Sequence, residues 1–111
     1  MSDTTTVCRL DQLTRNLGAA ALLPGGRQVA LFRVPSADGE TLHAVDNIDP
    51  YTGAGVISRG IVGEADGRPT IASPLLKQKF YLDDGQSLQG DDKKLTVFDV
   101  RVEDGDVIVG G

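Results

Sequence analysis

Three polar side chains in two short loops are the best candidates for chemistry in this sequence. Asp49 and Tyr51 flank a proline in the first loop, and Ser73 precedes a proline in the second. One carboxylate with a phenol and a hydroxyl is a poor ligand set for magnesium or calcium, and a worse one for zinc. Ser73 lacks the positioned base that a nucleophilic serine requires. A hydrogen bond that ties the loops together, with Asp49 accepting from Ser73 or Tyr51, is the favoured interpretation.

The only cysteine and the only histidine lie outside these two loops. Cys8 falls in a predicted strand with no adjacent base, which favours a buried thiol over a reactive one. His43 also falls in a predicted strand. With no second histidine or cysteine nearby, a structural role is favoured over that of a base or ligand.

The composition is that of one ordinary globular domain, 1–111, with 40% hydrophobic and 24% charged residues. A net charge of −5 argues against a nucleic-acid partner. A single cysteine excludes an internal disulfide and favours the cytoplasm. No secretory signal is visible, and the apolar run 18–23 is too short to span a membrane.

The segments on either side of the loops must position them, and their sequences predict short strands. Gln28 to Val34 is a continuous apolar run typical of a well-buried strand, whereas Leu95 to Glu103 alternates. Asp104-Gly105 is a hairpin turn, and 86–94 reads as a solvated polar loop. About nine short strands with no long amphipathic helix predict an all-β sandwich or small barrel. Further strands are predicted over 4–10, 40–46, 61–64, 68–72, 79–82 and 106–109.

The segment 47–85 resembles the cluster-binding region of Rieske iron–sulfur domains, whose loops read C-P-H and C-P-x-H-G. Both loop prolines, Phe80 and Gly85 stand where that family has them. The resemblance implies a base of two antiparallel sheets with 47–85 as a smaller subdomain. It also places four residues at the ligand positions, namely Asp49, Tyr51, Ser73 and Leu76. A Rieske centre needs two thiolates and two imidazoles, so no cluster is expected in this chain.

A narrower resemblance spans nearly the whole chain. The segments D-N-I-D-P-Y-T-G, I-S-R-G-I-V-G, G-R-P-T and A-S-P-L-L-K-Q-K-F are similar to the small subunits of assimilatory NAD(P)H-dependent nitrite reductases. That family implies reduction of nitrite to ammonia by a large partner subunit that carries FAD, an iron–sulfur cluster and siroheme. This chain would carry no cofactor and act by association. The alternative is a stand-alone interaction or regulatory module built on the Rieske fold.

The second loop and its flank suggest how such an association would occur. Leu75 and Leu76 would supply apolar contacts, and Lys77, Lys79 and Arg59 a charged rim. In the opposing interpretation, the two leucines fill the volume left by the lost cluster and the lysines are solvated. The sequence leaves both open.

Overall fold

The computed structural model describes residues 4–37 and 39–110, which form nine strands and two single-turn 3₁₀ helices, Leu10–Gln12 and Ile57–Arg59. No helix within these residues is long and apolar enough to cross a membrane. The strands are β1 (Thr4–Arg9), β2 (Ala19–Leu22), β3 (Gln28–Ser36), β4 (Gly39–Asp46), β5 (Ile61–Ala65), β6 (Arg68–Ala72), β7 (Lys79–Tyr81), β8 (Val97–Glu103) and β9 (Asp106–Gly110).

Six strands form one antiparallel sheet in the order β1-β9-β8-β4-β3-β2. Its two edge strands approach each other, because residues of β1 and β2 line the same cavity of about 250 Å³. The sheet therefore curls into a nearly closed barrel. Its interior is an apolar core that includes Leu13, Val29, Leu31, Ala44, Phe98, Val107 and Val109.

Strand β3 is buried on both faces over residues 29–32, which explains the run of apolar residues there. Val29 and Leu31 point into the barrel. Ala30 and Phe32 point the other way, into a second core. A strand covered on both sides needs apolar residues at every position instead of alternating ones. The predicted buried strand is confirmed.

The second core lies under a three-stranded antiparallel sheet in the order β5-β6-β7. Asp66 and Gly67 make the β5–β6 turn with φ of 54° and 74°, as a two-residue hairpin requires. Val62, Ile71 and Phe80 face this core. The all-β fold with its smaller subdomain is confirmed.

The segment 86–94 is a largely exposed loop, as predicted. It also lies along the outer side of β7, which the sequence did not predict. Phe80 forms a bridge with Ser87, and the Leu88 N–H donates to the Lys79 carbonyl at 3.0 Å. Ser87 is buried. The edge of β7 has backbone groups that need partners, and this segment supplies them.

Candidate functional site

The two loops that resemble the Rieske cluster-binding loops, 47–56 and 73–78, meet at a buried hydrogen bond. Ser73 Oγ donates to Asp49 Oδ2 at 2.5 Å. Asp49 is fully buried, and Ser73 is only 1% exposed. A carboxylate shielded from water in this way must have its oxygens satisfied by the protein. The predicted bond between Asp49 and Ser73 is therefore present.

The remaining contacts of Asp49 hold its own loop in shape. Its second oxygen, Oδ1, accepts the Tyr51 N–H at 2.8 Å. Its main chain closes the loop, because the Gly53 N–H donates to the Asp49 carbonyl at 2.8 Å and the Asp49 N–H to the Ala54 carbonyl at 2.9 Å. One buried aspartate thus organises the first loop and joins it to the second.

Tyr51 contributes its ring to the core and its hydroxyl to a separate network. The ring packs on Phe80, with centroids 5.9 Å apart. The hydroxyl donates to Asp91 Oδ2 at 2.5 Å and lies 3.0 Å from Ser87 Oγ. Of the two donors considered for Asp49, Ser73 donates through its hydroxyl and Tyr51 through its main-chain N–H, so the phenol is left for other partners. The Tyr51 hydroxyl, as the largest influence, lowers the pKa of Asp91.

Sequence reasoning missed the third segment of this site, 86–94, which connects the first loop to β7. The Gln89 side-chain amide bonds the backbone of Lys79 in the way that a neighbouring strand would. Its Oε1 accepts the Lys79 N–H at 2.8 Å, and its Nε2 donates to the Lys79 carbonyl at 3.2 Å. The polar composition of the segment carried no signal for this role, because the partners of Gln89 and Asp91 are ten residues away at Lys79 and 40 residues away at Tyr51.

The residues at the ligand positions do not fit a [2Fe–2S] cluster. Asp49 and Ser73 are bonded to each other, and Tyr51 is engaged with Asp91. None of these side chains supplies a thiolate or an imidazole, which are the ligands of a Rieske centre. The described part of the chain also contains no group of three or more metal-ligating side chains.

Cys8 and His43 lie on β1 and β4, away from the loop site. Burial raises the pKa of the Cys8 thiol, which disfavours the reactive thiolate. Burial is also the largest influence on His43 and lowers its pKa. Its Nε2 lies 2.9 Å from Thr41 Oγ1. These surroundings fit the structural roles expected for both residues.

The two leucines of the second loop point outward. Leu75 is 51% exposed and Leu76 57% exposed. The interpretation in which they fill the lost cluster volume is therefore wrong. The Asp49–Ser73 hydrogen bond joins the loops, and the Tyr51 ring packs against the second core.

The outer face of the small sheet continues the surface around these leucines. Strand register places Ile61, Ala72 and Lys79 side by side across β5, β6 and β7. Ile61 is 76% exposed, and sequence reasoning did not single it out. Within the described chain, the nearby cations enter no ion pair. We call the whole set the tip surface: Arg59, Ile61, Leu75, Leu76, Lys77 and Lys79.

Comparison with known proteins places this geometry in context. Residues 3–110 match the model of the Rieske-like [2Fe-2S] domain. The nitrite reductase (NADH) small subunit of Salmonella typhimurium is 40% identical over 111 residues, which is the full length of both chains. A structure described as an NADH-dependent nitrite reductase small subunit from Mycobacterium tuberculosis superimposes with a TM-score of 0.92 at 45% identity. That match covers all of this chain and 96% of the other.

A further relative has a different architecture. The nitrite reductase [NAD(P)H] large subunit of Klebsiella oxytoca is 41% identical to this chain over 104 residues. The match covers 94% of this chain but only 10% of that protein. In that organism, a domain of this kind is part of a much longer polypeptide.

Proposed function

Since this chain belongs to the nitrite reductase small subunits, within the Rieske-like [2Fe-2S] domain family, we propose that it is the non-redox accessory subunit of an NAD(P)H-dependent nitrite reductase. It acts in the cytoplasm by association with the large catalytic subunit. The observation that carries the proposal is the buried Asp49–Ser73 hydrogen bond at two of the positions where cluster-bearing relatives place ligands.

The Klebsiella relative supports the choice of partner. A polypeptide described as the large subunit contains a segment 41% identical to nearly all of this chain. Covalent linkage raises the effective concentration of one domain near another and favours domains that work together. The same pair of domains in this system would associate without a covalent link.

In this proposal the two subunits divide the work. The large subunit carries FAD, an iron–sulfur cluster and siroheme, and reduces nitrite to ammonia. This chain acts as one domain, 1–111, in which the degenerate cluster-binding subdomain, 47–85, faces the partner. It binds no cofactor and supplies no electron carrier, because its ligand positions hold no sulfur or imidazole ligand.

The tip surface is the proposed contact with the large subunit. It places the exposed side chains of Ile61, Leu75 and Leu76 beside three cations in a chain whose net charge is −5. An apolar centre with a charged rim is the usual anatomy of a protein interface. The matching partner surface is an apolar depression with carboxylates around it.

Nitrite-dependent NAD(P)H oxidation by the large subunit, with and without this chain, tests the proposal. We expect the two polypeptides to co-purify and the rate of oxidation to be higher when this chain is added. A large subunit that neither binds this chain nor changes its rate would contradict the assignment. It would favour the alternative, a stand-alone interaction module.

Charge reversal at the tip surface tests the contact itself. We expect the Lys77→Glu, Lys79→Glu double variant to bind the large subunit about tenfold more weakly, mainly through slower association at low salt. The matched control is Lys93→Glu, Lys94→Glu, which changes the net charge equally at exposed residues of the 86–94 segment. Surface plasmon resonance at two salt concentrations measures both. Equal weakening by the two double variants would remove the tip surface as the contact.

A further inference from the structure

A groove of about 800 Å³ opens between the small sheet and the end of the β3–β4 hairpin. It lies at the β5–β6 turn end of the small sheet, whereas the tip surface lies at the opposite end. The volume is in the range of ligand-binding clefts. The residues that matter for its chemistry are Val34, Pro35, Thr41, His43, Val62 and Glu64.

One wall of the groove is a strand with a free edge. β5 pairs only with β6, so its other side has no strand partner within the described residues. The Leu82 N–H donates to the Pro69 carbonyl, so the backbone groups of Pro69 face β7. Backbone direction alternates along a strand. The backbone N–H and C=O groups of Thr70 and Ala72 therefore point toward β5.

Register then identifies the groups on the free edge. Thr70 pairs with Gly63 and Ala72 with Ile61, so the backbone groups of Gly63 and Ile61 form hydrogen bonds to β6. The backbone groups of Val62 and Glu64 point away from β6, toward the groove that both residues line. Across the described chain, their N–H and C=O groups have no hydrogen-bond partner.

Gly63 also belongs to this part of β5, and a Cβ there would meet Thr70 Oγ1 of β6 at 3.3 Å. It is exposed, lies in the middle of β5 and also lines the groove. Its φ is not positive, so the backbone conformation does not require glycine. A glycine inside a strand weakens the strand and is typical of a place where another backbone approaches closely.

The charge of the groove favours a basic occupant. Glu64 enters no ion pair within the described residues, whereas Asp83 is held by Arg68 at 2.7 Å. Burial lowers the pKa of His43, against the opposing charge of Asp83, so the imidazole is neutral near pH 7. Val34, Val62 and Pro35 supply apolar walls.

We propose that an extended segment of the large subunit adds to the free edge of β5 as a fourth strand of the small sheet. The segment would place a lysine or arginine at Glu64 and apolar side chains against Val34 and Val62. Strand addition to an exposed sheet edge is a common mode of peptide recognition. This inference rests on the proposed function, and it adds a second contact that continues along β5 from the tip surface, with Glu64 three residues, or about 10 Å, beyond Ile61.

Proline at position 64 tests the strand addition, because it removes one edge N–H and leaves every β5–β6 hydrogen bond in place. We expect Glu64→Pro to bind the large subunit about tenfold more weakly than Glu64→Ala. The alanine variant is the matched control, since it lacks the carboxylate but retains the N–H. In the wild-type complex, amide hydrogen exchange at Val62 and Glu64 should be slower than in the isolated chain.

If the proline variant fails to fold, amide exchange in the wild-type chain still tests whether a strand adds to the edge of β5. Wild-type binding with unprotected Val62 and Glu64 amides would overturn this inference and leave the proposed function standing. Absence of binding by the wild-type chain would overturn both. Protection of the same amides in concentrated isolated chain would identify a second copy as the occupant and would also overturn the proposal.

Discussion

Replacing Asp49 with alanine is expected to lower the free energy of unfolding by about 2–4 kcal/mol. The substitution removes the acceptor of both the Ser73 hydroxyl and the Tyr51 N–H. Because the site is closed to water, both donors would be left without partners, and the lost side-chain volume would not be refilled. Urea unfolding followed by circular dichroism measures the effect.

Two controls separate this hydrogen-bond network from a general effect of losing an aspartate. Asp49→Asn retains the shape and one acceptor oxygen, so its loss of stability should be less than that of the alanine variant. Asp92→Ala removes an exposed carboxylate from the nearby loop and should change stability by no more than about 0.5 kcal/mol. If Asp49→Ala were as stable as Asp92→Ala, the network would not hold the loops together.

Truncating Phe80 to alanine should have the largest effect of any substitution considered, about 3–5 kcal/mol. Phe80 is completely buried in the core that joins the small sheet to the barrel. The Tyr51 ring packs against one side of Phe80. Its loss would open a cavity between the two sheets and remove the support of the first loop.

The matched comparison is Leu76→Ala, a truncation of an apolar side chain that is 57% exposed. We expect a change of about 0.5 kcal/mol or less in thermal unfolding for Leu76→Ala. For Phe80→Ala, a domain of this size should lose on the order of 15 °C or more in Tm. Similar Tm values for the two variants would mean that the second core contributes little to stability.

Asp49 and Phe80 stabilise the two loops of a Rieske-like domain that lacks the Rieske ligands. In cluster-bearing relatives, metal coordination joins the two loops. In this chain a buried acceptor at Asp49, a hydroxyl donor at Ser73 and an aromatic ring at Tyr51 take that place. These bonds are weaker than metal–ligand bonds, but they join the loops through groups of the chain itself.

The sequence by itself determined the fold class and the absence of the four Rieske ligands. The apolar run of β3 and the two-residue turns reflect local periodicity and backbone preference, which neighbouring residues report directly. The lack of cluster ligands follows from counting one cysteine and one histidine. The motifs that carried the family resemblance were also contiguous in the chain.

Only the tertiary structure decided where the loop side chains point. Tyr51 turns inward to Phe80 and to Asp91, which is 40 residues away, whereas Leu75 and Leu76 turn outward. The segment 86–94 became part of the site for the same reason. Loop residues have no repeating pattern of burial, so their direction depends on partners brought together by folding, and local sequence carries no record of those partners.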